Sequence, residues 1–361
     1  MASIFEIKTL SNLEYFDFSA SDLSHILAKV NGWDALRGKR LLITGATGFI
    51  GKCLLASFLN ANRTLNLGAR VLVLSRDVAK FQNLYPSLKG ASEIDWIQGD
   101  IRTFSLDAKL KCDMAIHAAT DVIAKRRPSE IFEDCVSGTR NAIEQLDQFD
   151  CNRMLLLSSG AVYGSDIGSL EGVSENYMGA PDPLSVNSAY GEGKRAAELL
   201  CAMAGVERKL VIPIARCFAF VGPHLPLDKH FAIGNFISAA MQGRPIVIKG
   251  DGTPLRCYLY SADLAVWLWT LLFDGVGGRA YNVGGAEAVS IECLARRTAM
   301  ILNSTSVISV EQQAQPGRPV QKYIPSLRRI EKELGLRACF DLDTSIKKTA
   351  NFYQRFYNEH N

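Results

Sequence analysis

The stretch ITGATGFIG, residues 43–51, joins the apolar run Leu41-Leu42-Ile43 to an amphipathic segment that continues to residue 60. A short apolar run ending at glycine reads as a buried strand, and the 3.6-residue repeat behind it as a helix. Three glycines between them have separate tasks. Gly45 permits the tight turn, Gly48 lets backbone approach a pyrophosphate at the helix N-terminus, and Gly51 lets the helix lie close on the strand. Together with Thr47, Phe49 and Ile50 they form the expected phosphate-binding part of a dinucleotide site.

Working outward, the chain alternates further apolar runs (ARVLVL, DWIQ, MAIHAA, RMLLLSS, KLVIPIAR) with helical patterns up to about residue 220. Strand, helix, strand repeated in this way predicts crossover units and a parallel sheet covered on both faces. The expectation is therefore α/β: a Rossmann doubly wound parallel sheet over residues 39–220. Residues 221–361, with Gly- and Pro-rich stretches such as GRPIVIKGDGTPLRCYLY and PGRPVQKYIPS, are expected to form mainly a smaller substrate-binding lobe, some segments returning to the sheet. Residues 1–38 read as an N-terminal extension, a packing or dimer element. There Ser21 is placed to cap a short helix carrying Leu23, Ile26, Leu27 and Val30.

Composition narrows the partners. With 361 residues, 48% hydrophobic and 21% charged, the chain can bury a large core. Forty Lys+Arg against 37 Asp+Glu leave a net charge of only +3, which gives no footprint for nucleic acid or an anionic membrane. The start MASIFEIKTL lacks a basic stretch followed by an apolar core, and LAVWLWTLLF is too short to span a bilayer, so a cytoplasmic location is expected. Nine Cys residues without a C-x-x-C pair suit reduced core thiols, with neither disulfide nor metal indicated.

At the end of the second apolar run, Leu74 is followed by Ser75 and Arg76 rather than by an acidic residue for a ribose diol. A hydroxyl and a guanidinium suit a 2′-phosphate, which makes NADP the expected cofactor, with NAD as the alternative because Asp77 comes next. Asp100 and Ile101 after the third run, and Ala118 and Ala119 after the fourth, fall where adenine and the diphosphate-ribose edge would lie.

Tyr190 and Lys194 stand at i and i+4 of a helical pattern and so share a face. An ammonium beside the phenol is expected to lower the Tyr190 pKa from its ordinary value of about 10, making it a proton-exchanging group. At this point the chain resembles the extended short-chain dehydrogenase/reductase family, specifically its NAD(P)-dependent nucleotide-sugar epimerases and dehydratases. The matching pieces are TGATGFIG, GDI, HAAT, SSGAVYG, AYGEGK, IARCFAFVGP, GDGTPLRCYLYSADLA and YNVGG, in order over residues 39–330.

The resemblance implies a nucleotide-diphosphate sugar as partner, a tightly bound cofactor and a homodimer. It implies that Ser159 hydrogen-bonds the reacting sugar hydroxyl, that Tyr190 is the base or acid, and that Lys194 tunes it and holds the nicotinamide ribose. Arg256 matches a diphosphate contact, while Asn235 matches a substrate-facing position or caps the next helix. Where the family commonly has Arg-Tyr-Phe-Asn, this chain has Arg216-Cys217-Phe218-Ala219, so an amide that often touches the sugar is absent.

The reaction turns on the two residues after Ser159. The family's sugar dehydratases place an Asp-Glu pair there, and its decarboxylases a nearby carboxylate; this chain has Gly160 and Ala161. Elimination needs both an acid and a base. Epimerisation through a transient 4-keto sugar is thus the first reading, and NADPH-dependent reduction of a 4-ketosugar nucleotide the second. Further readings are a dehydratase using a displaced carboxylate such as Asp121, and a catalytically silent binding protein. Asp121 and Gly160 join Ser159 as expected substrate contacts.

Overall fold

The computed structural model describes residues 15–358 except 108, 121–125, 150, 165–171, 230, 316 and 318, with side chains described as far as residue 355. Six strands follow the apolar runs: β1 Arg40–Thr44, β2 Arg70–Ser75, β3 Ile94–Gln98, β4 Met114–His117, β5 Arg153–Ser159 and β6 Ile214–Cys217. Successive residues of these strands face opposite ways. Leu41, Ile43, Val71, Val73, Leu155 and Leu157 enter one core, while Leu42, Leu72, Leu74, Met154 and Leu156 enter the other. Both faces are therefore apolar, which is why the runs show no alternation in the sequence.

Helix α1 (Ala20–Lys29) precedes β1; α2 (Phe49–Thr64) follows β1 and α3 (Val78–Leu84) follows β2. Helices α4 (Pro128–Asp147) and α5 (Ala189–Glu207) flank β5 in sequence and cover the second core together. Beyond β6 come β7 (Ala219–Val221), α6 (Ala232–Met241), β8 (Ile246–Ile248), β9 (Leu255–Tyr260) and α7 (Ser261–Asp274). The chain ends through β10 (Ala280–Val283), β11 (Ala288–Ser290), α8 (Ile291–Ile301), β12 (Ile308–Val310), β13 (Lys322–Tyr323), α9 (Arg328–Leu334) and α10 (Leu342–Asn358).

The main sheet has seven parallel strands in the order β10-β6-β5-β4-β1-β2-β3. The direction of winding reverses between β1 and β4, and the crevice at the carboxyl ends of those strands is where such sheets hold ligands. Residues 280–283 thus sit in the large sheet, and α7 packs on α2. The remaining C-terminal strands form a second sheet, in which β9 pairs with β7, β11 and β13, and a small β8–β12 pair. Helices α6, α8 and α10 share one apolar core with them.

Ser19, not Ser21, caps α1: its hydroxyl accepts from the Asp22 N–H at 3.1 Å. Two serines precede the same apolar repeat, and the helix starts one residue after the first. The extension is stitched to the rest of the chain by buried polar contacts. Tyr260 donates to Asp22 at 2.8 Å, Lys348 pairs with Asp22 at 3.0 Å, and His25 meets Asp263 at 3.1 Å. Among the described residues, no helix is long and apolar enough to cross a membrane.

Candidate active site

The glycine turn has the geometry its sequence implies. Gly45 has φ +75°, and a Cβ there would lie 2.7 Å from the Ala118 carbonyl; a Cβ on Gly51 would lie 2.1 Å from the Gly45 oxygen. Gly48 is the N-cap of α2 and brings no capping side chain, and the first turn holds no acidic residue. Helix N–H groups and the positive end of the helix dipole therefore face the crevice, a fit for a pyrophosphate.

Behind the turn, a buried hydroxyl chain fixes the tautomer of His117. Thr44 Oγ1 accepts the N–H groups of Ala118 (3.1 Å) and Ala119 (3.2 Å), which leaves its proton for His117 Nδ1 at 2.9 Å. Thr139 Oγ1 donates to the Cys135 carbonyl at 2.6 Å and accepts from His117 Nε2 at 3.1 Å. The network thus assigns a neutral Nε2–H imidazole. Burial, with Lys194 nearby, holds its pKa down to about 3.

A cavity of about 700 Å³ runs from this turn along the sheet edge to the second sheet. Gly45, Thr47, Gly48, Phe49, Ile50 and Gly51 line one end. Ser75, Arg76, Asp100 and Ile101 line its outer rim, and Ala118 and Ala119 its floor. Asp77 is committed elsewhere: its carboxylate caps α3 by accepting from the Lys80 N–H at 2.9 Å. Asp100 is held at about 2 by the Arg102 guanidinium, 2.7 Å away.

Ser159, Tyr190, Lys194 and Arg256 all face the same cavity. Ser159 ends β5, and its Oγ accepts the Ala161 N–H at 3.1 Å. Its neighbour Ser158 instead donates to Glu198 at 2.5 Å, within a buried group that includes Arg216 and Tyr163. Tyr163 donates to Asn282 at 2.8 Å, and neither it nor Arg216 lines the cavity.

The expected lowering of the Tyr190 pKa by Lys194 is corrected by the geometry. Lys194 is buried and donates to the Leu157 carbonyl at 2.7 Å, with its ammonium 6.0 Å from the Tyr190 ring centre. Burial pushes the phenol up, and the side chain that opposes this is Ser159. Sharing a helix face put Lys194 near the ring without bringing its charge to the hydroxyl.

Other expectations fare differently. Asn235 is exposed on α6, donates to the Lys229 carbonyl at 2.7 Å and does not line the cavity; as the fourth residue of the helix it is not its cap. Gly160 is buried and does not line the cavity: a Cβ there would lie 2.8 Å from both Phe218 Cζ and the Tyr323 hydroxyl. Any side chain at position 160 must therefore displace Phe218 and Tyr323. Asp121 lies outside the described residues.

Among the cavity residues that escaped the sequence reading are Phe218, Tyr258 and Tyr323. Tyr323 sits 3.4 Å from Ser159 Oγ, with Phe218 4.6 Å away between ring centres and the Arg256 guanidinium 5.7 Å from its ring centre. Its strand, β13, is two residues long and carries no periodicity to detect.

Residues 41–284 match the family model described as the NAD dependent epimerase/dehydratase family. UDP-glucuronic acid decarboxylase 1 of Xenopus tropicalis is 25% identical over 327 residues, covering 88% of this chain and 72% of that protein. A probable dTDP-glucose 4,6-dehydratase of Sinorhizobium fredii is 27% identical over 343 residues, covering 87% and 92%. Among solved structures, the dTDP-glucose 4,6-dehydratase DesIV of Streptomyces venezuelae, with NAD and TYD bound, superposes with a TM-score of 0.74. The two share 24% identity, and the alignment covers 89% of this chain and 98% of that one.

Proposed function

The chain belongs to the NAD dependent epimerase/dehydratase family, and on that premise we propose that it epimerises a nucleotide-diphosphate sugar through a transient 4-keto intermediate. The observation that carries this reading is the meeting of Ser159, Tyr190 and Lys194 in the cavity that begins at the glycine turn, with Gly160 and Ala161 rather than a carboxylate pair after Ser159. Residues 160 and 161 supply neither the acid nor the base that elimination needs.

A nicotinamide dinucleotide, when bound, accepts and returns the hydride. Gly48 would hold its diphosphate by close backbone approach, with Gly45 and Gly51 shaping the turn, and Lys194 would hold its nicotinamide ribose. Tyr190 takes the proton of the sugar hydroxyl and gives it back, while Ser159 donates to the Tyr190 oxygen and stabilises the phenolate. Arg256 on the opposite wall supplies a cation for the nucleotide diphosphate. With Asp77 engaged as a helix cap, Ser75 and Arg76 at the rim support NADP over NAD. That same feature favours a second reading, net reduction of a 4-ketosugar nucleotide by NADPH. The exposed stripe of Leu199, Met203 and Val206 on α5 supports a homodimer built on α4 and α5.

A nucleotide sugar deuterated at C4 separates the readings. Epimerisation as proposed yields the inverted sugar with its deuterium still at C4. Label lost to solvent, or stoichiometric NADPH consumption with a 4-ketosugar, rejects it.

A further inference from the structure

Building on the proposed hydride-transfer reading, we infer that Tyr323 is a positioning residue whose hydroxyl donates to Ser159 Oγ and so turns the Ser159 proton toward Tyr190. A serine hydroxyl has one proton and two lone pairs. One lone pair of Ser159 is filled by the Ala161 N–H at 3.1 Å. The Tyr323 hydroxyl, 3.4 Å away, is placed to fill the other. Ser159 then has its proton free for the Tyr190 oxygen, the group whose ionisation it favours.

The direction of the chain follows from its surroundings. Burial pushes the Tyr323 phenol up to about 12, so at neutral pH it keeps a proton to donate. The competing acceptor is the Cys217 carbonyl, also at 3.4 Å. When Tyr190 ionises, a donor at Ser159 becomes worth more, and hydrogen bonds in series strengthen one another; this draws the Tyr323 proton to Ser159. The other titratable groups around Tyr190 are Cys135 of α4, Cys217 of β6 and Lys194 of its own helix. Burial raises both thiols, leaving them neutral, and the Lys194 ammonium is tied to the Leu157 carbonyl, so the hydrogen bond from Ser159 is what favours the phenolate.

The test uses the full chain carrying tyrosine labelled with carbon-13 at Cζ, with the Tyr190 resonance assigned by its loss in Tyr190→Phe. Tyr323→Phe keeps the ring against Phe218 and removes only the hydroxyl. The expected result is that this change moves the Tyr190 resonance, and that it moves nothing further once Ser159→Ala is present. Single-turnover sugar oxidation near neutral pH should likewise fall about tenfold, the scale of one hydrogen bond to a charged group, and only while Ser159 is intact. An equal shift in both backgrounds, or none in either, overturns the inference. A protein that binds nucleotide sugar and cofactor without hydride transfer overturns the proposed function instead, and the resonance still decides Tyr323.

Discussion

The phosphate wall of the cleft comes from one continuous stretch, residues 44–51, whereas the wall across from it is drawn from four segments: Ser159 on β5, Tyr190 and Lys194 on α5, Arg256 on β9 and Tyr323 on β13. The first is shaped by backbone sterics, Gly51 against Gly45 and Ala46 within the turn and Gly45 against the Ala118 and Ala119 main chain beyond β4. The second is shaped by side chains that reach one another only after the second sheet has docked. One wall is therefore rigid and generic, suited to holding a common diphosphate. Across the cleft, the wall can change its chemistry by exchanging a residue in any of four places.

The largest expected effect lies on the assembled wall. Tyr190→Phe should lower turnover by about 10²–10⁴-fold, the range for loss of a general acid–base group, with cofactor affinity kept; near-normal turnover would remove Tyr190 from the mechanism. Next comes a matched pair of glycines. Gly51→Ala drives a Cβ into the Gly45 carbonyl and Ala46 backbone, which have nowhere to go, so a loss of about 3 kcal/mol in urea unfolding is expected, with weakened cofactor binding. Gly160→Ala meets the tips of Phe218 and Tyr323, side chains able to give way; about 1 kcal/mol and reduced turnover are expected, with cofactor affinity intact. If both substitutions weaken the cofactor equally, the two walls are not separable.

A smaller effect probes the floor behind the phosphate turn. The folded pKa of His117, about 3, lies below its ordinary 6.5. The unfolded chain therefore takes up the proton first as pH falls. The stability held by neutral His117 is complete above about pH 6.5 and declines below it, by at most about 1.4 kcal/mol per pH unit. Urea unfolding at pH 7.0 and 5.5 checks this, and His117→Gln should flatten the dependence. An unchanged slope would place the titration elsewhere.

The parallel sheet and the phosphate turn were legible in the sequence because their rules are local: an apolar run, a glycine where φ must be positive, a helix repeat. Ser159, Tyr190 and Lys194 were legible as residues, yet not in their electrostatics. The i, i+4 spacing brings Lys194 to the Tyr190 ring, but only the fold shows the ammonium tied to the Leu157 carbonyl. Asn235 looked like a sugar contact by its motif, and the helix turned it to solvent. Tyr323 was invisible, since a two-residue strand has no pattern and its meaning comes from Gly160, more than a hundred and sixty positions earlier. The absence of a carboxylate after Ser159 was readable; that Phe218 and Tyr323 crowd position 160 was not.

The most direct test is a single turnover with the purified chain loaded with oxidised cofactor and a UDP- or dTDP-linked sugar, followed at 340 nm. The account predicts a transient rise as the sugar is oxidised and a return to baseline as the hydride goes back, both abolished in Tyr190→Phe. A flat trace with sugar and cofactor both demonstrably bound would contradict it.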